Sequence, residues 1–439
     1  MSDIRFEGWL HRTGTGGVYQ DSAGNVGIAS TQPQTRLDIG NGGFQVGPTG
    51  IATVTTVNTT NLINATQLSH RNLIINGAMR VAQRGTSSTT SGMYSVDRFL
   101  CQFGGTDEAL TQSQHSLTSS DTGPYEEGFI KSFHIQNGNQ TGRAGAADYV
   151  EIYTMIEDQD ISSSGWNYKS SSSYLTISFW VRSSVAQKFA GFLYTNDAGQ
   201  ANSYMYSYQI DNGSGGNLTA NTWTKVTHSI PGNSSLTFNN DATNGMKIGF
   251  FPFNGTDYTT SGHTENTWAA WSSSNKVKDM TSTWYTTNDA TFEITGVQLE
   301  VGSVATPFEH RSLLEEYLRC LRYYQRYGSS GNGNTFQDLR PMGHSNATVE
   351  IMTDFRGVPM RASPTVAFSG NVNIRGCAST YSDNTVTLAG NNFALADDGV
   401  SQTGHFWVSA SSGTPFSASY SGRVTGASNG TYIEFRAEL

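Results

Sequence analysis

The sequence predicts a mainly β protein built from several short-stranded domains, and three observations lead to this prediction. Charged residues make up only 14% of the 439 residues, while 48 glycines interrupt stretches rich in Ser, Thr and Asn. Apolar and polar residues alternate over many short segments, as they do in half-buried strands. The 22 Phe, 20 Tyr and 8 Trp residues supply apolar area for packed cores, so the polar bias indicates a folded, loop-rich chain. A chain of this length is expected to form two or three domains.

Charge and composition exclude several classes of function. The net charge of −9 comes without a Lys/Arg cluster that could meet phosphates, so no nucleic-acid partner is expected. No run of about 18 apolar residues occurs, and the N-terminus lacks the pattern of a signal peptide, which predicts a soluble protein made in the cytoplasm. Cys101, Cys320 and Cys377 are odd in number and far apart, which predicts neither a disulfide framework nor a zinc site.

The first predicted domain, residues 1–69, consists of short polar strands separated by glycine. GNVGIAS at 24–30 and TRLDIGNGGFQVG at 35–47 are typical segments. Because each strand is too short to bury a core within one chain, the pattern favours an intertwined β-stalk or β-prism in which three chains associate. The stalk could attach the protein to a larger assembly or act as a passive spacer.

Residues 70–310 predict an antiparallel two-sheet sandwich. Strands here are longer and alternate clearly, and Leu175, Ile177, Phe179 and Val181 share one face of a single strand. Turn residues separate the predicted strands, as they do in sandwiches. The segment 254–290 interrupts the pattern with a polar loop. It carries Tyr258, Trp268, Trp271 and Trp284, whose rings could either plug the core or stack against sugar rings.

A single amphipathic helix is predicted at residues 311–327, as a linker between domains. Ser312 and Glu315 fit the capping box that starts a helix. One face carries the apolar residues Leu314, Tyr317, Leu318, Leu321 and Tyr324. This stripe is interpreted either as a lid on the sandwich or as a contact between three helices at a trimer axis, and its near-heptad spacing favours the second.

Residues 328–439 predict a small β domain that ends on a strand and forms a folded tip. Its aromatic residues Phe406, Trp407 and Tyr420 are candidates for contact with a ligand.

The sequence contains no motif typical of a catalytic or metal site. None of the nine histidines shows HxH or HExxH spacing, and no nucleophile elbow or phosphate-binding loop occurs. Glu157, Asp158 and Asp160 form the densest acidic cluster. They could serve glycoside hydrolysis or bind calcium, but a solvated loop explains them equally well. We therefore predict no enzyme activity, no metal and no cofactor.

Two motifs more than 200 residues apart resemble a known family. The first motif resembles the start of a jelly-roll domain of phage tail fibres, and it comprises RNLIINGAMRVAQRGTS at 71–87 and YSVDRF at 94–99. The second motif resembles the end of that domain, and it comprises ITGVQLEVG, ATPFEHRS and RCLRYYQRY between residues 294 and 327. GVPMRASPTV at 357–366 is similar to a motif that often follows it. The resemblance implies a carbohydrate-binding-module-like jelly-roll in a homotrimeric virion protein that meets the host surface. It also leaves open a structural calcium near Glu293 and Glu300.

These observations together predict a phage tail fibre that recognises host glycan or lipopolysaccharide. The N-terminus would attach to phage tail or adaptor proteins, and the protein would reside in the virion after synthesis in the host cytoplasm. The predicted glycan contacts are Tyr258, Trp268, Trp271, Phe406, Trp407 and Tyr420. Two alternatives remain open at this point: a polysaccharide depolymerase using Glu157, Asp158 or Asp160, and a purely architectural whisker or collar protein.

Overall fold

The computed structural model describes residues 70–196, 203–328, 336, 338–377, 383–395, 404–426 and 430–439, with short segments between residues 8 and 54. The chain divides into two compact units, Met1–Thr66 and Gln67–Leu439. Among the described residues, no helix has the length and apolar character needed to cross a membrane.

The first unit contains one six-stranded sheet whose strands follow chain order. They are β1 (Gly8–Leu10), β2 (Gly17–Gln20), β3 (Val26–Ile28), β4 (Leu37–Ile39), β5 (Phe44–Val46) and β6 (Ala52–Val54). Neighbours pair antiparallel except β3 and β4, which are parallel. Val18 and Ile28 are exposed, so this short sheet leaves apolar side chains uncovered.

The second unit begins with two six-stranded antiparallel sheets packed face to face, which confirms the predicted sandwich and fits a jelly-roll. The strands are β7 (Ser87–Ser88), β8 (Leu100–Gly104), β9 (Thr111–Ser116), β10 (Lys131–Gln136), β11 (Tyr149–Glu157), β12 (Tyr174–Ser183), β13 (Phe189–Thr195), β14 (Tyr204–Ile210), β15 (Thr224–Pro231), β16 (Asn244–Asn254), β17 (Trp268–Ala270) and β18 (Thr291–Val301). Sheet I has the order β15-β12-β18-β10-β9-β7, and sheet II the order β17-β14-β13-β16-β11-β8. Two short helices, α1 (Asp158–Ser162) and α2 (Thr283–Thr286), lie between strands.

Alternation along the strands builds the core between the sheets. Leu175, Ile177, Phe179 and Val181 of β12 are all buried, as predicted. Phe179 meets Phe250 of sheet II edge to face, with ring centroids 4.8 Å apart. The opposite face of each sheet is therefore free to carry functional side chains.

The two family-like motifs meet in a hydrogen-bonded closure that we call the clasp. Leu73 N donates to Leu299 O at 2.9 Å. The Asn72 side chain donates to Val297 O at 3.1 Å and accepts from Leu299 N at 3.1 Å. A Cβ at Gly77 would lie 2.1 Å from Val297 O, so only glycine allows this approach. The motifs thus join the two ends of the sandwich.

The third helix, α3 (Leu313–Leu321), is shorter than predicted and presents a different face. Ser312 Oγ accepts from Glu315 N at 3.1 Å, which confirms the predicted N-cap. The buried residues are Glu316, Cys320 and Leu321. Glu316 turns inward because its carboxylate accepts from Arg311 Nη1 at 3.0 Å and from the Asn76 backbone N–H.

The chain after α3 returns to antiparallel strands. They are β19 (Tyr324–Gly328), β20 (Leu339–Gly343), β21 (Thr348–Thr353), β22 (Thr365–Phe368), β23 (Val372–Gly376), β24 (Asp383–Leu395), β25 (Gly404–Ala410), β26 (Gly422–Gly426) and β27 (Tyr432–Arg436), with a 3-10 turn at Phe355–Gly357. They form a three-stranded sheet, β19-β27-β22, and a six-stranded sheet, β20-β21-β25-β24-β23-β26. Tyr324 is therefore a strand residue and not part of a helical stripe. Residues 67–439 form one compact unit. The predicted domain boundaries at residues 310, 327 and 328 lie within this unit and stay predictions.

A buried polar network, which we call the joint, connects the sandwich to the last residues of the chain. The Arg98 guanidinium is 1% exposed. It donates to the Glu438 carboxylate and to Met155 O (2.8 Å), and it lies 3.5 Å from the centre of the Tyr323 ring. Arg84 Nη2 also donates to Glu438 Oε1, at 2.8 Å. One carboxylate thus serves two largely buried arginines.

Candidate functional site

The outer face of sheet II carries a cleft of about 140 Å³ lined by aromatic and charged side chains. Its apolar lining consists of Tyr153, Phe192, Tyr194, Met205, Phe251 and Trp271. Its polar lining consists of Gln102, Glu151, Asn196, Lys247 and Lys276. We call this site the aromatic cleft.

Strand register and one glycine form the floor of the aromatic cleft. Gly249 of β16 lies between Tyr153 of β11 and Phe192 of β13. A Cβ at Gly249 would lie 2.4 Å from the Phe192 ring. The absence of a side chain at Gly249 therefore allows the Phe192 ring to lie over the backbone of β16. Phe192 in turn stacks on Phe251, with centroids 4.3 Å apart and planes at 12°. The floor is a continuous apolar surface.

Trp271 forms one wall of the cleft. Its backbone N–H donates to Ser203 O at 2.8 Å, which ties the polar loop to sheet II. Its ring meets Tyr194 edge to face, with centroids 5.8 Å apart. Because Trp271 is only half-buried, part of its ring remains open to solvent.

Two lysines and one glutamate supply charge at the cleft. Lys276 Nζ bonds to Glu151 Oε1 at 2.7 Å and lies 4.5 Å from the Tyr258 ring centre. Lys247 Nζ lies 5.1 Å from the Tyr153 ring centre. Burial lowers the pKa of Lys247, although nearby Glu151 opposes this change. The described side chains therefore leave the cleft with an excess of cationic over anionic groups.

Tyr153 provides a fixed hydroxyl. Its OH donates to Gln102 Oε1 at 3.0 Å. Burial, with a smaller effect of Glu151, raises the pKa of Tyr153 to about 12, so the phenol stays neutral at physiological pH. Aromatic faces, hydroxyl, amide and ammonium groups within one shallow cleft can stack on an apolar ring face and hydrogen-bond to its hydroxyls. The volume is below the roughly 300–1,000 Å³ of enclosed drug-sized pockets, so a ligand would lie on this surface and not inside it.

The structure separates the four aromatic residues predicted in the 254–290 loop. Trp268 and Trp284 are buried in the main core, where the indole N–H groups donate to Pro231 O (2.7 Å) and Thr291 O (2.9 Å). They are plugs. Trp271 lines the cleft, and Tyr258 lies beside its Lys276.

The three candidates in the C-terminal part do not line the aromatic cleft. Phe406 is buried in the second core, among the strands that follow α3. Trp407 is half-buried and packs against His344, with ring centroids 4.2 Å apart. Tyr420 is exposed. The described structure gathers no aromatic cleft around them.

The three residues of the predicted acidic cluster, Glu157, Asp158 and Asp160, lie in different environments. Both oxygens of buried Glu157 accept from Arg322, at 2.6 and 2.8 Å, and Tyr323 OH donates to it at 2.6 Å. Burial opposes ionisation, but these hydrogen bonds hold the pKa of Glu157 below its ordinary value. Asp158 is buried and accepts from Asp241 N at 3.3 Å, while Asp160 is exposed. Glu157 is therefore ionised at neutral pH and anchors Arg322 and Tyr323.

Glu293 and Glu300, the residues considered for calcium, each have separate partners. Glu293 accepts from Arg182, and Glu300 accepts from Thr306 N at 2.8 Å and lies 3.9 Å from Arg71. Each carboxylate therefore lies beside an arginine.

A larger groove of about 830 Å³ runs beside α3, and we call it the helix groove. It is lined by Arg80, Val81, Ala82, Gln83, Leu313, Leu314, Tyr317, Arg326 and Gly328. Leu314 is 67% exposed, and nearby Leu318 is also exposed. Leu321, in contrast, is buried, so the predicted trimer contacts Leu314, Tyr317, Leu318 and Leu321 do not form one exposed stripe.

The most informative cleft residues, Tyr153, Tyr194 and Lys247, were not singled out from the sequence. Alternation along β11, β13 and β16 places these side chains opposite the core residues Ile152, Leu193 and Ile248. Aromatic rings at outward positions of neighbouring strands are the signal that could have found the cleft. Their convergence depends on strand order, which the sequence did not supply.

No protein-family model matches the chain, and no curated protein matches it. Among solved structures, the chain is similar to the enzymatically active domain of bacteriophage CBA120 tailspike protein 4, with 10% identity and a TM-score of 0.28, over 53% of this chain and 21% of that one. It is also similar to a family 11 carbohydrate-binding module of a cellulosomal cellulase from Clostridium thermocellum, with 13% identity and a TM-score of 0.24, over 52% and 98% of the two chains. A third is a xylan-binding domain from Paenibacillus barcinonensis, with 10% identity and a TM-score of 0.23, over 53% and 96%.

Proposed function

We propose that the aromatic cleft binds a glycan and that the protein is a phage tail fibre that recognises host surface polysaccharide without cleaving it. The observation that carries the proposal is the open Trp271 ring, set beside Tyr194 and Lys247 on the outer face of sheet II. The motifs that form the clasp resemble those of phage tail fibres, which supports the virion role.

The ligand would make one aromatic stacking contact and several hydrogen bonds. A pyranose presents an apolar C–H face to Trp271, while its hydroxyls face Lys247, Lys276 and Glu151. Because the cleft is shallow, a single site would bind weakly. Repeated sites on an oligomer would convert weak contacts into useful avidity.

The test is binding of purified protein to an array of bacterial lipopolysaccharide and capsular oligosaccharides. Trp271→Ala should weaken binding by about 2 kcal/mol, or about thirtyfold in Kd, if the ring is the central contact. Trp407→Ala is the matched control, since Trp407 is also half-buried but does not line the cleft. Equal binding by Trp271→Ala and wild type would reject the cleft. Loss in Trp407→Ala alone would move the site to the C-terminal part.

The proposal includes self-association into a homotrimer. The exposed side chains of Leu314 and Leu318 beside the helix groove, and of Val18 and Ile28 in the first unit, are apolar surfaces that association would cover. Leu318→Asp should lower the trimer fraction measured by light scattering. Arg319→Asp is the control, because it also changes the charge of α3 but replaces the next residue, whose side chain is half-buried. If the trimer fraction of Leu318→Asp equals that of the wild type, α3 is excluded from the contact.

We also propose that the first unit attaches the protein to phage tail or adaptor proteins. A fragment of residues 1–66, mixed with phage particles that lack the fibre, should occupy the attachment site and block the full chain. Continued incorporation of the full chain at saturating fragment would argue against this role.

A further inference from the structure

The outer face of sheet I, on the opposite side of the sandwich from the aromatic cleft, carries a cluster of two histidines and one glutamate. His115, His134 and Glu293 each offer one ligand atom, and these atoms all lie within 4.8 Å of one another. Imidazole nitrogens and a carboxylate are a donor set that zinc accepts, often with a fourth position left for water. Calcium and magnesium prefer oxygen donors, so a transition metal suits the set better.

Strand register brings the three side chains together. His134 of β10 lies directly opposite Glu293 of β18. His115 of β9 lies opposite Ser132, one diagonal step from His134. The two imidazole rings have centroids 5.2 Å apart, and His115 Nδ1 lies 3.2 Å from Glu293 Oε2. Tetrahedral zinc needs ligand atoms about 3.3 Å apart, which small side-chain rotations of the half-exposed His115 can reach.

Neighbouring side chains hold the cluster in orientation. Ser113 Oγ lies 3.3 Å from His134 Nδ1, and this contact restrains the orientation of the imidazole ring. Ser132 Oγ donates to Glu293 Oε2 at 2.9 Å, and Arg182 Nη2 donates to Oε1 at 2.7 Å. Such outer contacts fix ring tautomer and carboxylate position in metal sites.

The charge balance leaves room for a cation. Arg182 bonds to two carboxylates, Glu293 and Asp121, the latter at 2.7 Å. One guanidinium therefore faces two negative charges in a partly buried setting. A divalent ion bound to Glu293 and the two histidines would link three adjacent strands of sheet I.

We propose that His115, His134 and Glu293 bind one Zn²⁺ ion per chain, with the fourth position open to water. The ion would connect β9 to β10 and β18 near the edge of sheet I, where β9 has only the two-residue strand β7 as its outer neighbour. This site is separate from the aromatic cleft, so its existence does not depend on glycan binding.

The test uses the untagged full chain, freed of metal with a chelator and titrated with ZnCl₂ by calorimetry. Co²⁺ is a second probe, because its visible absorption reports tetrahedral nitrogen and oxygen coordination. We expect one site per chain. His115→Gln and His134→Gln should each weaken it by more than about 100-fold, and Ser113→Ala, which removes an outer contact, by about tenfold. Buried Cys101, Cys320 and Cys377 are poor competitors for the ion.

His405→Gln is the matched control, since His405 lies 3.7 Å from Glu350 and so forms a histidine–carboxylate pair elsewhere. It should bind zinc like wild type. Far-UV circular dichroism checks that each variant is folded, and half-exposed His115 is the substitution least able to disturb the core. Absence of stoichiometric Zn²⁺ and Co²⁺ binding by wild type would overturn the proposal, as would unchanged affinity in folded His115→Gln.

Discussion

Glu438→Ala is expected to destabilise the protein strongly, because Glu438 is the anion of the joint. The substitution leaves Arg98, whose side chain is 1% exposed, without a carboxylate partner. Met155 O and the Tyr323 ring remain in contact with the guanidinium, but neither carries a full negative charge.

The magnitude follows from the burial of the two partners. Breaking a buried ion pair by removing one member costs about 3–5 kcal/mol, since the other charge stays buried and unpaired. The Glu438 side chain is 18% exposed, so water can partly enter the vacated space. We therefore expect a loss near the lower end of that range, about 3 kcal/mol.

Urea unfolding followed by tryptophan fluorescence measures the loss. Asp383→Ala is the control, because Asp383 pairs with Arg375 at the surface, where both side chains are more than a third exposed and the pair is worth about 0–1 kcal/mol. Adding Arg98→Met to Glu438→Ala should recover part of the stability by removing the unpaired charge. Equal costs for Glu438→Ala and Asp383→Ala would refute the reasoning.

Three further substitutions test other parts of the structure. Burial outweighs the opposing effects of the Arg84 charge and the Gln83 hydrogen bonds, and it raises the pKa of Asp97 from 3.8 to about 6. Because the pKa of this carboxyl is raised in the folded state, the stability of the wild type falls as pH rises from about 4 to 6. The stability of Asp97→Asn relative to wild type, measured by urea titration, should therefore increase by up to about 3 kcal/mol between pH 4 and 7. A decrease would show that folding favours the ionised form of Asp97. Gly296 has a φ of 63°, and a Cβ there would lie 2.6 Å from the Phe129 ring. Gly296→Ala should therefore lower the free energy of unfolding in urea titrations by more than about 1 kcal/mol. Gly262→Ala is the control and should be nearly neutral, because a Cβ at Gly262 would meet nothing within 4 Å. Trp284→Ala should cost about 3–5 kcal/mol by the same measurement because the ring is fully buried, and a cost below about 1 kcal/mol would contradict its role as a plug.

Local sequence patterns predicted the positions of helices and strands well. Contacts between residues distant in sequence determined where those helices and strands end. The Ser312 cap and the buried face of β12 follow from neighbouring residues, and both are confirmed. The helical spacing from Leu314 to Tyr324 also looked local, but Tyr324 pairs with Arg436 in β27 and is therefore extended. A partner more than 100 residues away cannot be read from a short window of sequence.

The candidate site was only partly predictable for the same reason. Trp268 and Trp271 lie in one polar loop, yet the first is a core plug and the second a cleft wall. Sequence composition cannot distinguish them, because strand β17 begins at Trp268 and directs its ring inward. Likewise, His115 and Glu293 are 178 residues apart and meet only through the order of strands in sheet I.

The clasp has a consequence for how such a protein can vary. Because Leu73 and Leu299 are hydrogen-bonded neighbours, all the chain between them is one large loop with its two ends held together. Lengthening a loop that is already long costs little extra entropy. Insertions beside Trp271 would therefore reshape the proposed binding surface while the chain still enters and leaves the sandwich at the same place, so the cleft can vary without a change in the clasp.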